Sequence, residues 1–191
     1  MRTRVALLLA LLAAGCGGSD DNRFYRLVPV TSAAPVAGGS CSAPIAVAAV
    51  TVPDAVDRGE IVRASGPDEV DVSNHDRWAA PLSLLIQRTL AQDLQQRLPP
   101  GRVLGPDAQA TAGGTATVRL GIKRFMADDD GHVTLNTDWT LLNASGGQVF
   151  TRTETITVNG DTSYGQISAG MSTAVGVLAD RIAAVLAKCP G

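Results

Sequence analysis

The chain has 191 residues, 16 basic against 18 acidic, for a net charge of −2. That length fits one domain. No basic block exists, which argues against nucleic-acid binding, since phosphate contacts need clustered Lys and Arg.

Arg2 and Arg4 precede an apolar run, Val5 to Leu12, and then Ala13-Ala14-Gly15-Cys16. A basic start, a short apolar stretch and small residues at the cut site make a secretory signal. The run falls short of the roughly 20 apolar residues a membrane span needs. Cys directly after the small residues adds a bacterial lipoprotein reading: residues 1–15 are removed and Cys16 becomes the lipid-bearing first residue. Ala13 stands where the usual lipoprotein pattern has Leu, with Leu12 one position earlier. The bland alternative is an ordinary signal peptide with Cys16 incidental. Buried acyl chains contribute about 0.8 kcal/mol per CH₂, and stable anchoring needs more than one chain. A bacterial lipoprotein Cys carries three, so the tether is expected to be firm. Gly17 is not the Asp that retains lipoproteins at the inner membrane of enterobacteria, which points to the outer membrane, facing the periplasm.

Residues 16–44 read as tether, edge strand and loop. Gly17 to Asn22 is polar and flexible in composition. Phe24, Tyr25, Leu27 and Val28 suggest a short edge strand, and residues 31–44 a loop rich in Ala, Gly, Ser and Pro. The folded domain is expected over 45–191. Ile45 to Val52, almost wholly apolar, suits a strand buried on both faces. Glu60 to Ala64 and Glu69 to Val72 flank Gly66-Pro67 as a hairpin.

Pro81 to Leu98 reads as a helix, with Leu82, Leu85, Ile86, Leu90, Leu94 and Leu98 on one stripe. Gln87, Arg88, Gln92, Asp93, Gln95 and Gln96 form its expected wet face. Val103-Leu104 is a brief strand. Alternation over residues 115–159 predicts a three-stranded meander, broken at Asp128-Asp129-Asp130-Gly131 and Asn143 to Gly147. Ser163 to Lys188 closes the chain as a helix, with Ser163 and Gln166 spaced as a capping box. Its small residues Gly165, Ala169, Ser172 and Gly176 suit close packing on another helix or a partner, or else a plain solvent face.

Cys41 and Cys189 are an even pair in an oxidising compartment, so a disulfide is expected; two free thiols are the alternative. The fold class is α+β: two layers in a single domain, a mixed, largely antiparallel sheet with two helices packed on it.

Several stretches together resemble the ABC-type transport auxiliary lipoproteins, the group that includes the paraquat-inducible protein C-like lipoproteins. They are Phe24-Tyr25-Arg26-Leu27, Pro53 through Asp57-Arg58 with Ile61-Val62-Arg63, Arg77-Trp78-Ala79-Ala80-Pro81-Leu82, and the strand ending Arg124-Phe125. The loop holding Cys41 is not part of that pattern. The resemblance implies an envelope lipoprotein working with a mammalian-cell-entry (MCE) domain protein, an inner-membrane permease and an ATPase. Such systems move phospholipids or other hydrophobic molecules between membranes.

No catalytic constellation is apparent. His75 beside Asp76 is a sequence neighbour and not an oriented base. Neither Cys/His metal spacing nor a Gly-rich phosphate loop occurs. The chain is therefore read as no enzyme, with no cofactor. Arg58, Arg77 and Trp78 are the candidate partner contacts, since Arg and Trp are enriched at binding hot spots. The competing expectation is that Trp78 covers the core at the helix entrance while the arginines pair with Asp57 or Asp76. A homo-oligomer matching a tunnel-shaped partner is plausible. The rival functions are a small hydrophobic-ligand binder, marked by an apolar cavity, and an assembly or structural lipoprotein of another envelope complex.

Overall fold

Alternating apolar residues along 116–158 put one side of a long meander into the core, and the rest of the chain is arranged over it. The computed structural model describes residues 21–31, 43–105 and 114–188. Strands β1 (Arg23–Tyr25), β2 (Ile45–Val47), β3 (Glu60–Ser65) and β4 (Glu69–Trp78) precede helix α1 (Leu82–Arg97). Strands β5 (Ala116–Ala127), β6 (Val133–Leu142) and β7 (Gln148–Val158) follow, and helix α2 (Tyr164–Leu186) ends the series.

The α+β class holds, but the strands form two sheets rather than one: β1-β4-β3 and β2-β5-β6-β7. Both are mixed, because β1 runs parallel to β4 and β2 parallel to β5, while the remaining pairs are antiparallel. Their turns meet where the Gly66 N–H donates to Asp129 Oδ2 at 2.9 Å. The two helices pack on each other and α2 covers β5, β6 and β7. Leu120, Phe125, Leu135 and Trp139 from the sheet interleave with Ile167, Val175, Leu178 and Ile182 from α2 in one apolar core. The opposite face of the meander is wet and ordered by cross-strand polar pairs. Asp138 accepts from Lys123 and Thr153, and Thr140 meets Thr151 at 3.0 Å.

Several expectations change in detail. The strand expected over Ile45 to Val52 is regular only to Val47; the chain leaves the ladder and rejoins it at Thr51, which bridges Gly121. Strand β4 runs six residues past Val72, so Arg77 and Trp78 end a strand and do not open the helix. Ser163 is the N-cap of α2 but makes no side-chain capping bond; its own N–H is held by Asp161 instead. The first turn of α1 is capped from outside, the Ser83 N–H donating to Asp57 Oδ1 at 3.0 Å. An exposed helix N-terminus has unpaired N–H groups and a positive dipole end, and a carboxylate answers both. Asp93, placed on the wet face by its charge, is fully buried. The folded body also begins before Ile45, since Leu27 lies in the core.

Candidate docking surface and tether seat

Residues 26–30 are held by both helices. Ser168 Oγ donates to the Arg26 carbonyl at 3.0 Å, and the Val28 N–H donates to Ser172 Oγ at 3.1 Å. Val30 is held at both ends of its backbone: its N–H donates to Asp93 Oδ1 at 2.8 Å, and its carbonyl accepts from Arg97 Nη1 at 3.1 Å. Arg97, 1% exposed, also donates to the Gly176 carbonyl at 3.1 Å and to Asp180 Oδ1 at 2.6 Å. One guanidinium therefore joins α1, α2 and the incoming chain. Burial pushes the Asp93 carboxyl up to about 6, against the pull of the Val30 N–H and Arg97.

This seat explains the small residues of α2. Ser172 and Gly176 are buried beneath the segment, and a Cβ on Gly176 would lie 2.9 Å from Val30 Cβ. Gly165 and Ala169 are exposed. The stripe is thus divided between a packing surface and a solvent face.

Upstream of the seat, β1 is fastened by Asp76. Its carboxylate receives a forked pair from Arg23, the Tyr25 hydroxyl at 2.9 Å and the Ser73 hydroxyl at 2.9 Å. Burial raises the carboxyl's pKa, and the hydrogen bonds from Tyr25, Ser73 and Arg23 together outweigh it, leaving Asp76 below the usual value. For Tyr25, burial first and then the Asp76 contact push the phenol up.

Strand register places Phe24, Arg77 and Glu60 in one row across the small sheet. Glu60 gathers the two candidate arginines: Arg77 Nη2 donates to it at 2.7 Å and Arg58 Nε at 2.8 Å. The hydrogen bond from Arg58, then one from the Glu60 backbone, and the nearby charges of Arg77 and Arg58 hold the Glu60 carboxyl below its ordinary value. Phe24 stands 66% exposed at the edge of the row. A ring beside paired arginines is a surface rich in the residue types that dominate interfaces. Trp78 does not share that surface. It is 5% exposed and belongs to the core, one residue along an alternating strand from Arg77. The arginines therefore meet on Glu60, whereas Asp57 caps α1 and Asp76 binds Arg23.

Glu60, Phe24, Asp93 and Arg97 were missed as site residues. For the last two the signal was present: Asp93 lies seven residues after Ile86 and Arg97 seven after Leu90, so an i,i+4 charge pair sits on the apolar stripe of α1. Cys16, Cys41 and Cys189 lie outside the described residues. Asp128 serves its turn, accepting from the Asp130 and His132 N–H groups. Among the described residues, no three His, Cys, Asp or Glu side chains cluster as a metal site. Helix α2 is long and apolar enough to cross a membrane, yet most of it is buried inside the domain.

Comparison with known proteins matches this architecture. The chain is 28% identical over 147 residues to the intermembrane transport lipoprotein PqiC of Escherichia coli (strain K12), covering 76% of each chain. The PqiC of Shigella flexneri matches equally. A crystal structure of an uncharacterized protein superposes with a TM-score of 0.72 at 19% identity, covering 87% of this chain and 99% of the other. The crystal structure of XCC0632 from Xanthomonas campestris gives 0.69 at 17% identity, covering 87% and 95%. At those identities the likeness concerns the fold. The sequence profile described as ABC-type transport auxiliary lipoprotein component matches residues 25–183, from the last residue of β1 through α1 and the meander and into α2. The chain belongs to the ABC-type transport auxiliary lipoprotein family.

Proposed function

We propose that this protein is a non-enzymatic docking subunit of an MCE-type ABC transport system, lipid-anchored through Cys16 to the outer membrane and facing the periplasm. Its partners would be an MCE-domain protein, an inner-membrane permease and an ATPase. The cargo would be phospholipids or other hydrophobic molecules passing between the two membranes. The family and the name of the E. coli relative support a transport role.

The observation that carries the reading is the tether seat. Chain arriving from Cys16 is locked by Asp76 and then by Asp93 and Arg97. A lipid anchor fixed in this way sets where the domain stands, which suits a docking subunit. The row of Phe24, Arg77, Glu60 and Arg58 is the proposed contact, with Trp78 supporting it from within.

Recovery of the lipidated protein from envelope extracts tests this. An MCE-domain protein should co-purify, and Phe24→Ser with Arg77→Ala should lose it while the circular dichroism spectrum is unchanged. Recovery of no MCE-domain partner by the parent protein would overturn the reading. Cys16→Ser should give a folded domain that no longer supports transport.

A further inference from the structure

A second feature lies at the end of the large sheet, away from the arginine row. Strand β2, the start of β5, the β6–β7 turn and the last turn of α2 line a half-open cavity of about 290 Å³. Ile45, Ala116, Leu141, Val149 and Leu186 give it an almost wholly apolar wall. Water has little to hold it in such a space, because a buried water needs two to four polar partners. The volume sits at the bottom of the usual range for small-molecule sites, so it suits one hydrocarbon chain rather than two.

One charged group lines this cavity. Arg102 donates from Nη1 to the Ala43 carbonyl. Among the described residues no carboxylate pairs with it, and burial lowers its pKa. A guanidinium has five N–H donors in a fork that fits a carboxylate or phosphate. A partly buried cation without an anion is costly, and an acidic head placed there would offset that cost.

We propose that this cavity binds the hydrocarbon chain of a single-chain anionic amphiphile, whose acidic head is taken by Arg102. The occupant is chosen by charge complementarity: an apolar chain for the wall and an anion for Arg102, with which no carboxylate pairs among the described residues. The proposal deepens the transport reading and rests on it only for the biological source of the amphiphile.

The test uses the full mature chain carrying Cys16→Ser, titrated calorimetrically with laurate and with lysophosphatidylglycerol. Inorganic phosphate and neutral dodecyl maltoside serve as the head alone and the chain alone. One-to-one binding of either anionic amphiphile supports the site; the tighter of the two tells a fatty-acid carboxylate from a lipid phosphate. Arg102→Gln should weaken that binding by about tenfold or more and leave dodecyl maltoside unaffected. Ala144→Trp, at an exposed turn on the cavity rim, should block both with the fold intact. Absence of binding by both anionic probes, or binding indifferent to both substitutions, would overturn the proposal. Partner recovery does not depend on this cavity, so an MCE-domain protein recovered alongside failed titrations would sink the site and spare the docking role.

Discussion

Asp93 and Arg97 lie one helical turn apart, both sealed from solvent, and grip opposite ends of the same peptide unit pair at Val30. The ion pair between them, 3.2 Å long, is thereby tied to the position of the N-terminal segment at Val30. Burying two charges is costly, and here the cost is offset by four further bonds from the guanidinium to Val30, the Asp93 carbonyl, Gly176 and Asp180. Removing the cation alone should be severe. Arg97→Met is expected to cost about 3–5 kcal/mol, because Asp93 would remain buried without its partner. Urea denaturation measures this, and a loss below about 1 kcal/mol would contradict the assigned role.

The same pair gives a pH dependence whose sign is fixed by burial. Asp93 has a folded-state value of about 6, above the ~3.9 of an unfolded Asp. Between those values the folded state binds the extra proton, so this group adds stability as pH falls from about 6 towards 4. Asp76 is shifted the other way; its contribution is present above about 4 and lost as pH falls further. Denaturation midpoints across pH 3 to 8 should therefore rise and then fall on acidification. Asp93→Asn should flatten the rise between pH 6 and 4 and keep the acid loss. An unaltered slope in that variant would exclude Asp93 as its source.

Gly176 permits close approach rather than an unusual backbone angle. Its virtual Cβ meets Val30 Cβ at 2.9 Å, closer than real side chains approach. Gly176→Val should push the segment off its seat at a cost of about 1–3 kcal/mol, as overpacked cores do. Limited proteolysis reads the displacement, with cleavage expected among residues 26–31 in the variant alone. Gly165→Ala, on the exposed end of the same stripe, should leave the digestion pattern unchanged.

The cysteine pair yields a simpler experiment. Cys41 and Cys189 lie outside the described residues, and an even pair in an oxidising compartment predicts a bridge between them in the mature chain. Thiol titration of the denatured, unreduced Cys16→Ser protein should find no free thiol. Reduction should lower stability, by up to about 5 kcal/mol on the chain-entropy account. Two reactive thiols before reduction would dispose of the bridge.

How far the fold could be read from residue order depended on period. The meander and both helices are long and strictly patterned, so β5, β6, β7, α1 and α2 fall near their expected places. The polar run Ser73 to Arg77 conceals the far half of β4 from a reading by hydrophobic pattern; what extends the strand is β1, a parallel neighbour whose Arg23 pairs with Asp76 from 53 residues earlier. The tether seat left less trace still. Its bonds join Arg26 to Ser168 and Val28 to Ser172 across more than 140 residues, and no local pattern encodes such a pairing. Arg58 and Arg77 were legible as site candidates, but Glu60, which unites them, read only as the first residue of a strand.

The order of fastenings along the N-terminal chain also defines a path for mechanical load. A pull along β1 bears first on its parallel ladder with β4 and on the Asp76 hub, where several bonds lie across the direction of force and share it. Only beyond that ladder does tension reach Val30, where it divides between α1 and α2. Tension entering from the N-terminal side is therefore spread over the small sheet and both helices, which guards the domain against fraying from that end.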